Sequence, residues 1–287
     1  MTLIPKDQPV LSLETATPVC SVALWIPDGT VLEERAEGQG VHSELTFVFI
    51  DRLLKKAGIS VDGLGAVLLS AGPGSYTGLR VGSSAVKGLL FQTEIPLYTF
   101  NTLAGIAIGT AERQEKILRT EEFRMEQSRP KDGRTDQSRT EDSQEEKSRT
   151  VESQGEMPKT GESRKKDSEP VTVDAVIDAR RNHLYHQVWE VGEAGVKAGS
   201  GLQVRELDEV LKRWESGGLV AGTGTERLLR LAESRDVDTA GLHTFPGTGV
   251  ISAISILHYV AEVGERSTEL LQKVDPRRYE PDYFSGL

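Results

Sequence analysis

Apolar and polar positions follow a few simple patterns along the chain, and these predict most of its first 111 residues. Short runs of strand-forming residues at 10–14, 19–25 and 30–35 are separated by turn residues, which indicates an antiparallel meander. From 41 to 57, Leu45, Phe49 and Leu53 recur every four residues, as in an amphipathic helix. Gly58 follows as the expected C-terminal stop of that helix.

A continuous apolar run at 66–70 predicts a buried strand, which leads through a glycine-rich turn into a helix at 79–91. The turn combines glycines for close approach, a proline that stiffens the backbone and hydroxyl residues suited to capping the helix. These residues are Gly72, Pro73, Gly74, Ser75, Thr77 and Gly78. Such a turn can aim backbone N–H groups at a phosphate, but it also fits a tight turn without a ligand. A strand at 97–100 and a helix at 102–111 follow.

Between residues 123 and 171 the chain changes character, because larger apolar residues almost disappear. Charged residues of both signs dominate, and the pair Ser-Arg recurs at 128, 138 and 148. Such a segment buries too little apolar surface to offset the entropy of ordering it. We therefore expect a low-complexity, disordered insertion over residues 112–170. A regulated docking tail, modified at its Ser/Thr-Arg pairs, is the alternative interpretation.

Order resumes after the insertion, with a hairpin of strands at 173–179 and 184–191 and a helix at 207–214. A strand at 219–221 then enters a second glycine turn, Gly222-Thr223-Gly224, before a helix at 226–232. A long apolar helix at 251–263 and a tail with little periodicity complete the chain. The pattern predicts an N-terminal α/β lobe (1–111), the insertion (112–170) and a C-terminal α/β lobe with its tail (171–287).

Composition narrows the function classes. The net charge of −10 disfavours strong direct binding to nucleic acid by this chain alone, since no dense basic patch stands out. The single cysteine, Cys20, excludes an internal disulfide and a cysteine-based metal site, and we expect a buried, inert thiol. No signal peptide or membrane-length apolar run is evident, so we expect a soluble, cytoplasmic protein.

Several segments together resemble the TsaB (YeaZ) family, and the resemblance is densest over residues 10–110. They are 11–17, 20–24, 42–44, 87–89, 177–181 and the specific string Gly72-Pro73-Gly74-Ser75-Tyr76-Thr77-Gly78-Leu79-Arg80. That family provides the bacterial partner subunit for making the threonylcarbamoyl modification of tRNA. The resemblance implies an α/β, two-lobed fold like that of actin, sugar kinases and Hsp70 (the ASKHA fold), with the insertion outside it.

The resemblance also raises the question of a metal and a nucleotide, because catalytic relatives bind both. Their metal is held by a His-x-x-x-His pair, whereas here the residue four after His42 is Thr46. The acidic residue that ends the first strand is kept as Glu14, but the second glycine turn is short. We therefore expect no metal, no catalytic residue and no cofactor, and the alternative left open is weak or vestigial binding of a nucleotide. Glu14 and the glycine turn are interpreted as a vestigial phosphate or nucleotide loop.

Contact with partners is the function that remains. In the family, the first two helices pack against those of the catalytic homologue TsaD, or against a second copy when TsaD is absent. The residues expected in this interface are His42, Leu45, Phe49, Leu53, Arg80, Gly82, Ala85 and Gly88. The resemblance further implies a TsaE-type ATPase in the assembly, indirect contact with tRNA and no contact with a membrane.

Two other function classes stay open. The same fold permits a nucleotide-dependent small-molecule kinase, although the missing metal ligand and the short second turn count against it. A peptidase is the third alternative, and no Ser-His-Asp or Cys-His arrangement in the sequence supports it. The leading hypothesis is a non-catalytic subunit of the tRNA-modifying transferase that acts on tRNAs reading codons beginning with adenine.

Overall fold

The computed structural model describes residues 4–38, 40–128, 170–214, 218–239, 241–263 and 269–283. For residues 121–128 and Val263 it describes the backbone alone. All elements below lie within these ranges, and most of the predicted insertion, residues 129–169, lies outside them.

The first sheet is mixed and, within the described residues, contains six strands in the order β12-β5-β4-β1-β2-β3. Its strands are β1 (Val10–Glu14), β2 (Val19–Trp25), β3 (Val31–Glu37), β4 (Ala66–Ser70), β5 (Leu97–Phe100) and β12 (Gln272–Val274). The first three form the predicted antiparallel meander, with Leu13 opposite Val22 and Ala23 opposite Glu33. β4 pairs parallel with both β1 and β5, so the carboxyl ends of these three strands meet at one edge.

The second sheet has the order β11-β10-β6-β7-β8, and β9 also pairs with β7. Its strands are β6 (Val171–Asp178), β7 (His183–Gly192), β8 (Gly195–Ala198), β9 (Gln203–Glu206), β10 (Gly218–Gly222) and β11 (Leu242–Pro246). β6 and β7 form the predicted hairpin, and β6, β10 and β11 run parallel. The order of β7, β6, β10 and β11 repeats that of β2, β1, β4 and β5.

Helices cover both sheets and fill the space between them. The helices are α1 (Val41–Ala57), α2 (Tyr76–Leu89), α3 (Thr102–Ser128), α4 (Leu207–Trp214), α5 (Thr225–Ser234) and α6 (Ala253–Val263), with a short 3-10 turn at Val61–Gly63. α1 and α2 pack on the outer face of the first sheet, and α4 and α5 on that of the second. α3 and α6 lie between the sheets, where Leu103 and Ile256 join strand residues of both in one core. The predicted two-lobed α/β architecture is therefore confirmed.

Local sequence explains where the two outer helices begin and end. α1 ends at Gly58, whose left-handed backbone (φ 68°) lets its N–H reach the carbonyls of Leu54 and Lys55. α2 begins after Ser75, whose Oγ accepts the N–H of Gly78 at 3.3 Å. The predicted cap role of Ser75 is thus confirmed, whereas Thr77 lies exposed in the first turn and caps nothing in the structure.

The structure differs from the predictions in length and at the C-terminus. α2 begins at Tyr76, earlier than predicted, and α3 continues to Ser128, so the first part of the predicted insertion is helical. β8, β9, β11 and β12 were not predicted. β12 pairs with β5, which returns the C-terminal segment to the N-terminal sheet rather than leaving it with the second lobe. None of the helices in the described part of the chain is long and apolar enough to cross a bilayer.

Candidate functional site

The turn between β1 and β2 is organised by Glu14. Its Oε1 accepts the backbone N–H groups of Ala16 at 2.8 Å and Thr17 at 3.1 Å, and the Thr17 hydroxyl at 3.2 Å. Glu14 is 3 % exposed, and this burial raises its pKa to about 7, against the opposing effect of the hydrogen bonds from Ser70, Ala16 and Thr17. The carboxyl group that the sequence suggested for metal and phosphate therefore serves to hold a turn of the chain itself.

The glycine turn packs directly onto this β1–β2 turn. The Ser75 N–H donates to the Ala16 carbonyl at 2.6 Å. A Cβ on Gly74 would lie within 3.0 Å of the Ala16 carbonyl oxygen, and a Cβ on Gly78 within 3.0 Å of the Thr15 carbonyl oxygen. These glycines therefore let two backbones of the same chain touch, which is the use of glycine that a phosphate loop also requires.

The start of the glycine turn is tied to α3. Gly72 has a left-handed φ of 107°, its N–H donates to the Thr102 hydroxyl at 3.1 Å, and its carbonyl accepts the Thr102 N–H at 2.9 Å. Pro73 follows through a cis peptide bond and is buried. With Ser75 bonded to Ala16 and Gly72 to Thr102, the turn is held by the protein's own groups.

The second glycine turn repeats this arrangement in the other lobe. Gly222 has φ 113°, and a Cβ there would lie within 3.0 Å of the Val176 carbonyl oxygen, which also accepts the Gly224 N–H at 3.2 Å. Arg227 of α5 bonds both the Asp178 carboxylate and the Arg181 carbonyl, which clamps the hairpin turn beside it. Both glycine turns thus join a helix closely to a neighbouring strand or turn.

The histidines do not converge. His42 lies at the start of α1, where its Nε2 is 3.1 Å from the Val19 carbonyl oxygen, and Thr46 donates to the His42 carbonyl at 2.6 Å. His186 is buried, with its Nε2 2.6 Å from Asp174 Oδ1 in the second sheet. Among the described residues there is no group of three or more His, Cys, Asp or Glu side chains placed to hold a metal ion.

Half of the residues predicted for a partner interface are buried inside the chain, which corrects that prediction. Phe49, Leu53 and Ala85 belong to the core beneath α1 and α2. Gly82 faces Thr15 and Leu69, so it permits close packing within the chain rather than against a partner. His42 and Leu45 are half-buried, and only Arg80 and Gly88 are exposed. The four-residue period of Leu45, Phe49 and Leu53 marks the face of α1 that packs on the sheet.

The outward side of these helices carries apolar residues that the prediction missed. Phe47 is 54 % exposed, Val48 38 %, Tyr76 53 % and Phe91 70 %. On α2 the exposed line runs through Arg80, Ser84 and Gly88, and Phe47 lies across the seam beside Gly88. We call this surface the α1–α2 face: Phe47, Val48, Tyr76, Arg80, Ser84, Gly88 and Phe91. The sequence could have shown that Phe47 is exposed, because helix geometry places it about 200° around α1 from Leu45, opposite the buried stripe.

The fold and the glycine turns define the class of protein. It is a two-lobed α/β protein in which backbone groups of the same chain pack against the glycine turns and the outer helix pair carries exposed apolar residues. Comparison with known proteins is consistent with this class. Residues 34–118 match the model of the TsaD family, tRNA N6-adenosine threonylcarbamoyltransferase. These residues include α1 and α2.

The curated relatives include proteins named tRNA threonylcarbamoyladenosine biosynthesis protein TsaB. That of Escherichia coli (strain K12) is 35 % identical over 100 residues, which are 35 % of this chain and 43 % of the relative. That of Haemophilus influenzae is 34 % identical over 99 residues, 34 % of this chain and 41 % of the relative. The matched part of the chain thus spans less than half the length of these relatives.

The solved structure of YeaZ from Pseudomonas aeruginosa superposes with a TM-score of 0.62 at 19 % identity, covering 96 % of this chain and all of that one. This likeness confirms the fold. The chain is thus similar in sequence to proteins named TsaB, which confirms the resemblance found in the sequence.

Proposed function

We propose that this chain is the partner subunit of the complex that forms N6-threonylcarbamoyladenosine in tRNAs reading codons that begin with adenine, and that it supports a TsaD-type catalytic subunit. The observation that carries the proposal is the exposed apolar face on α1 and α2. This face lies in the segment 34–118 that the transferase family model also matches. Exposed large apolar residues on one side of a protein mark interaction sites.

The proposed subunit does no bond-making itself. The Glu14 carboxyl group, at the position of the acidic residue expected to help place metal and phosphate, instead accepts the N–H groups of Ala16 and Thr17 in the turn that follows it. The glycine turn, the position for a phosphate, is packed on Ala16 and Thr15. Both features support a role without a nucleotide cofactor, in which the fold is used as a docking scaffold.

The shared helix pair suggests how the partners meet. Two proteins that carry the same α1–α2 unit can pack these helices together about a pseudo-twofold axis, as homologous subunits commonly do. Ser84 and Gly88 leave room on α2 for a partner helix, and Phe47 and Phe91 supply apolar contacts beside it. A second copy of the chain occupies the face when the transferase is absent, a TsaE-type ATPase joins the complex, and tRNA contacts fall mainly to the partners.

The cellular test is nucleoside analysis of tRNA after deletion of the gene. The proposal requires that N6-threonylcarbamoyladenosine be lost and that the wild-type gene restore it. Unchanged modification, together with failure of the purified chain to form a stoichiometric complex with the transferase on gel filtration, contradicts the proposal.

Truncating the exposed aromatic ring of α1 tests the docking face directly. We expect Phe47→Ser to weaken transferase binding about tenfold or more, because an apolar anchor at the centre of an interface contributes about 2 kcal/mol. Stability should change little, since the ring is 54 % exposed. Isothermal titration calorimetry measures the affinity, and thermal unfolding of the free chain measures the stability.

Leu118→Ser is the matched control, because Leu118 is 52 % exposed on α3, away from the α1–α2 face. It should leave the transferase affinity unchanged. Equal effects of the two substitutions would place the partner elsewhere on the protein.

Calorimetry with ATP and Mg²⁺ separates this proposal from a kinase of the same fold. We expect no binding heat at ligand concentrations up to about 1 mM. A dissociation constant above about 1 mM corresponds to a binding free energy weaker than about 4 kcal/mol. The physical reason is that backbone groups of the chain fill both glycine turns. Micromolar binding accompanied by turnover of ATP would favour the kinase instead.

A further inference from the structure

The C-terminal segment crosses the N-terminal lobe beside the α1–α2 face. After β12, the Arg278 N–H bonds the Asp275 carbonyl at 3.1 Å, and the chain turns towards α2. Tyr279 is buried in the core beneath α1 and α2, and Pro281 is buried as well, whereas Glu280 and Asp282 point outward. We call residues 279–283 the strap.

Two contacts fix the strap along α2. Lys87 Nζ donates to Glu280 Oε1 at 2.6 Å, near the C-terminal end of the helix. At the other end the rings of Tyr76 and Tyr283 meet with centroids 4.6 Å apart. The Asp282 carbonyl oxygen reaches the glycine turn, 3.5 Å from the place of a Cβ on Gly72. The strap therefore runs antiparallel to α2 over most of its length.

Helix geometry places the strap and α1 on opposite sides of the exposed line of α2. Lys87 lies within about 20° of Arg80 around the helix, and Tyr76 about 40° to the same side. Gly88 lies about 80° to the other side, where it meets Phe47 of α1. Ser84 lies between the two sides. The exposed part of α2 is thus the floor of a shallow surface whose two walls are α1 and the strap.

We propose that the strap is an integral wall of the docking surface: the transferase partner contacts Tyr283 as well as α1 and α2, and the ion pair between Glu280 and Lys87 holds the strap in place for that contact. The inference rests on the proposed function for the identity of the partner. The exposure of the aromatic pair supports this role: Tyr76 remains 53 % exposed even with Tyr283 against it, so the two rings form an apolar edge that a partner can still cover. Arg80 lies over the same ring, with its Cζ 5.4 Å from the Tyr76 centroid.

The test uses charge reversal at the strap in the full-length chain, because removing the buried Tyr279 would disturb the core. Glu280→Lys breaks the ion pair with Lys87, and we expect it to weaken transferase binding about threefold. The double variant Glu280→Lys/Tyr283→Ala also removes the ring contact, and we expect about a tenfold loss. Combining Glu280→Lys with Lys87→Glu restores the pair with its charges exchanged and should recover most of the affinity.

Glu115→Lys is the control, since it breaks a similar exposed pair, Arg119–Glu115 at 2.6 Å, on α3. It should bind the transferase like the wild type. If the wild type binds and the double variant at the strap binds with the same affinity, the strap is not part of the surface and the inference is overturned. If the wild type itself does not bind the transferase, the proposed function fails, and the inference fails with it. Binding of the wild type therefore distinguishes a failure of the inference alone from a failure of the proposed function.

Discussion

Gly78→Ala is expected to destabilise the protein by about 3 kcal/mol, although alanine favours helices more than glycine does. The added Cβ would enter the space of the Thr15 carbonyl oxygen, a backbone atom that a side-chain rotation cannot move. Because Thr15 is fully buried and the neighbouring turn is held by Glu14, the turn and α2 would have to separate. The free energy of unfolding in urea measures the effect.

Gly88→Ala is the matched control on the same helix. A Cβ there meets only Phe47 Cζ at 3.8 Å, which is ordinary contact. We expect this substitution to be neutral or to stabilise by up to about 1 kcal/mol, through the helix propensity of alanine. Similar stabilities of the two variants would contradict the close backbone approach between α2 and the β1–β2 turn.

The glycine turn shows both the strength and the limit of reasoning from the sequence. The spacing of Gly72, Gly74 and Gly78 correctly indicated that something must approach the backbone closely. The groups that approach Gly74 and Gly78 are the carbonyls of Ala16 and Thr15, which lie about sixty residues away along the chain. Local sequence does not encode that pairing, since it depends on how β1 and β4 lie side by side in the sheet.

The outer helices show a similar division. The repeat of Leu45, Phe49 and Leu53 predicted the helix and its apolar stripe, and Val41–Ala57 is found as α1. Assigning that stripe to a partner was the error, because periodicity locates the most apolar face of a helix and such a face packs on the sheet first. The surface left for a partner carries the weaker pattern of Phe47 and Val48.

The C-terminal elements were missed for physical reasons. β12 has only three residues, which are too few to show the alternation of apolar and polar positions that predicts a strand. It forms a strand because it pairs with β5. The prediction of disorder for the first part of the insertion was wrong for a different reason. Composition indicated disorder from residue 112, yet Glu115, Lys116, Leu118 and Arg119 are all good helix formers, and α3 continues through them.

The second large effect concerns pH, because Glu14 is a buried acid. In the unfolded chain its pKa is near the ordinary 4.5, whereas burial raises the pKa in the folded protein to about 7. The folded state thus binds the proton more tightly, and stability falls as pH rises from about 4.5 to about 7. Above that range the loss from this group is complete and amounts to about 3 kcal/mol. The contribution of Glu14 should therefore make the free energy of unfolding of the wild type lower at pH 8 than at pH 5.

Glu14→Gln isolates that contribution. The amide keeps an Oε1 that can accept the same N–H groups of Ala16 and Thr17, so the turn is preserved, but it carries no ionisable proton. We expect the variant to match the wild type within about 1 kcal/mol at pH 5 and to exceed its free energy of unfolding by about 3 kcal/mol at pH 8. Urea unfolding at the two pH values provides the measurement.

Glu115→Gln, on the exposed part of α3, should leave the difference between the two pH values unchanged. If Glu14→Gln is less stable than the wild type at pH 8, the ionised carboxylate stabilises the turn more than its burial costs, and the raised pKa is contradicted. If it is more stable, Glu14 holds the β1–β2 turn at the expense of stability near neutral pH. The glycine turn and the start of α2 pack on the β1–β2 turn. Because Glu14→Gln preserves that turn, the substitution should leave transferase binding intact.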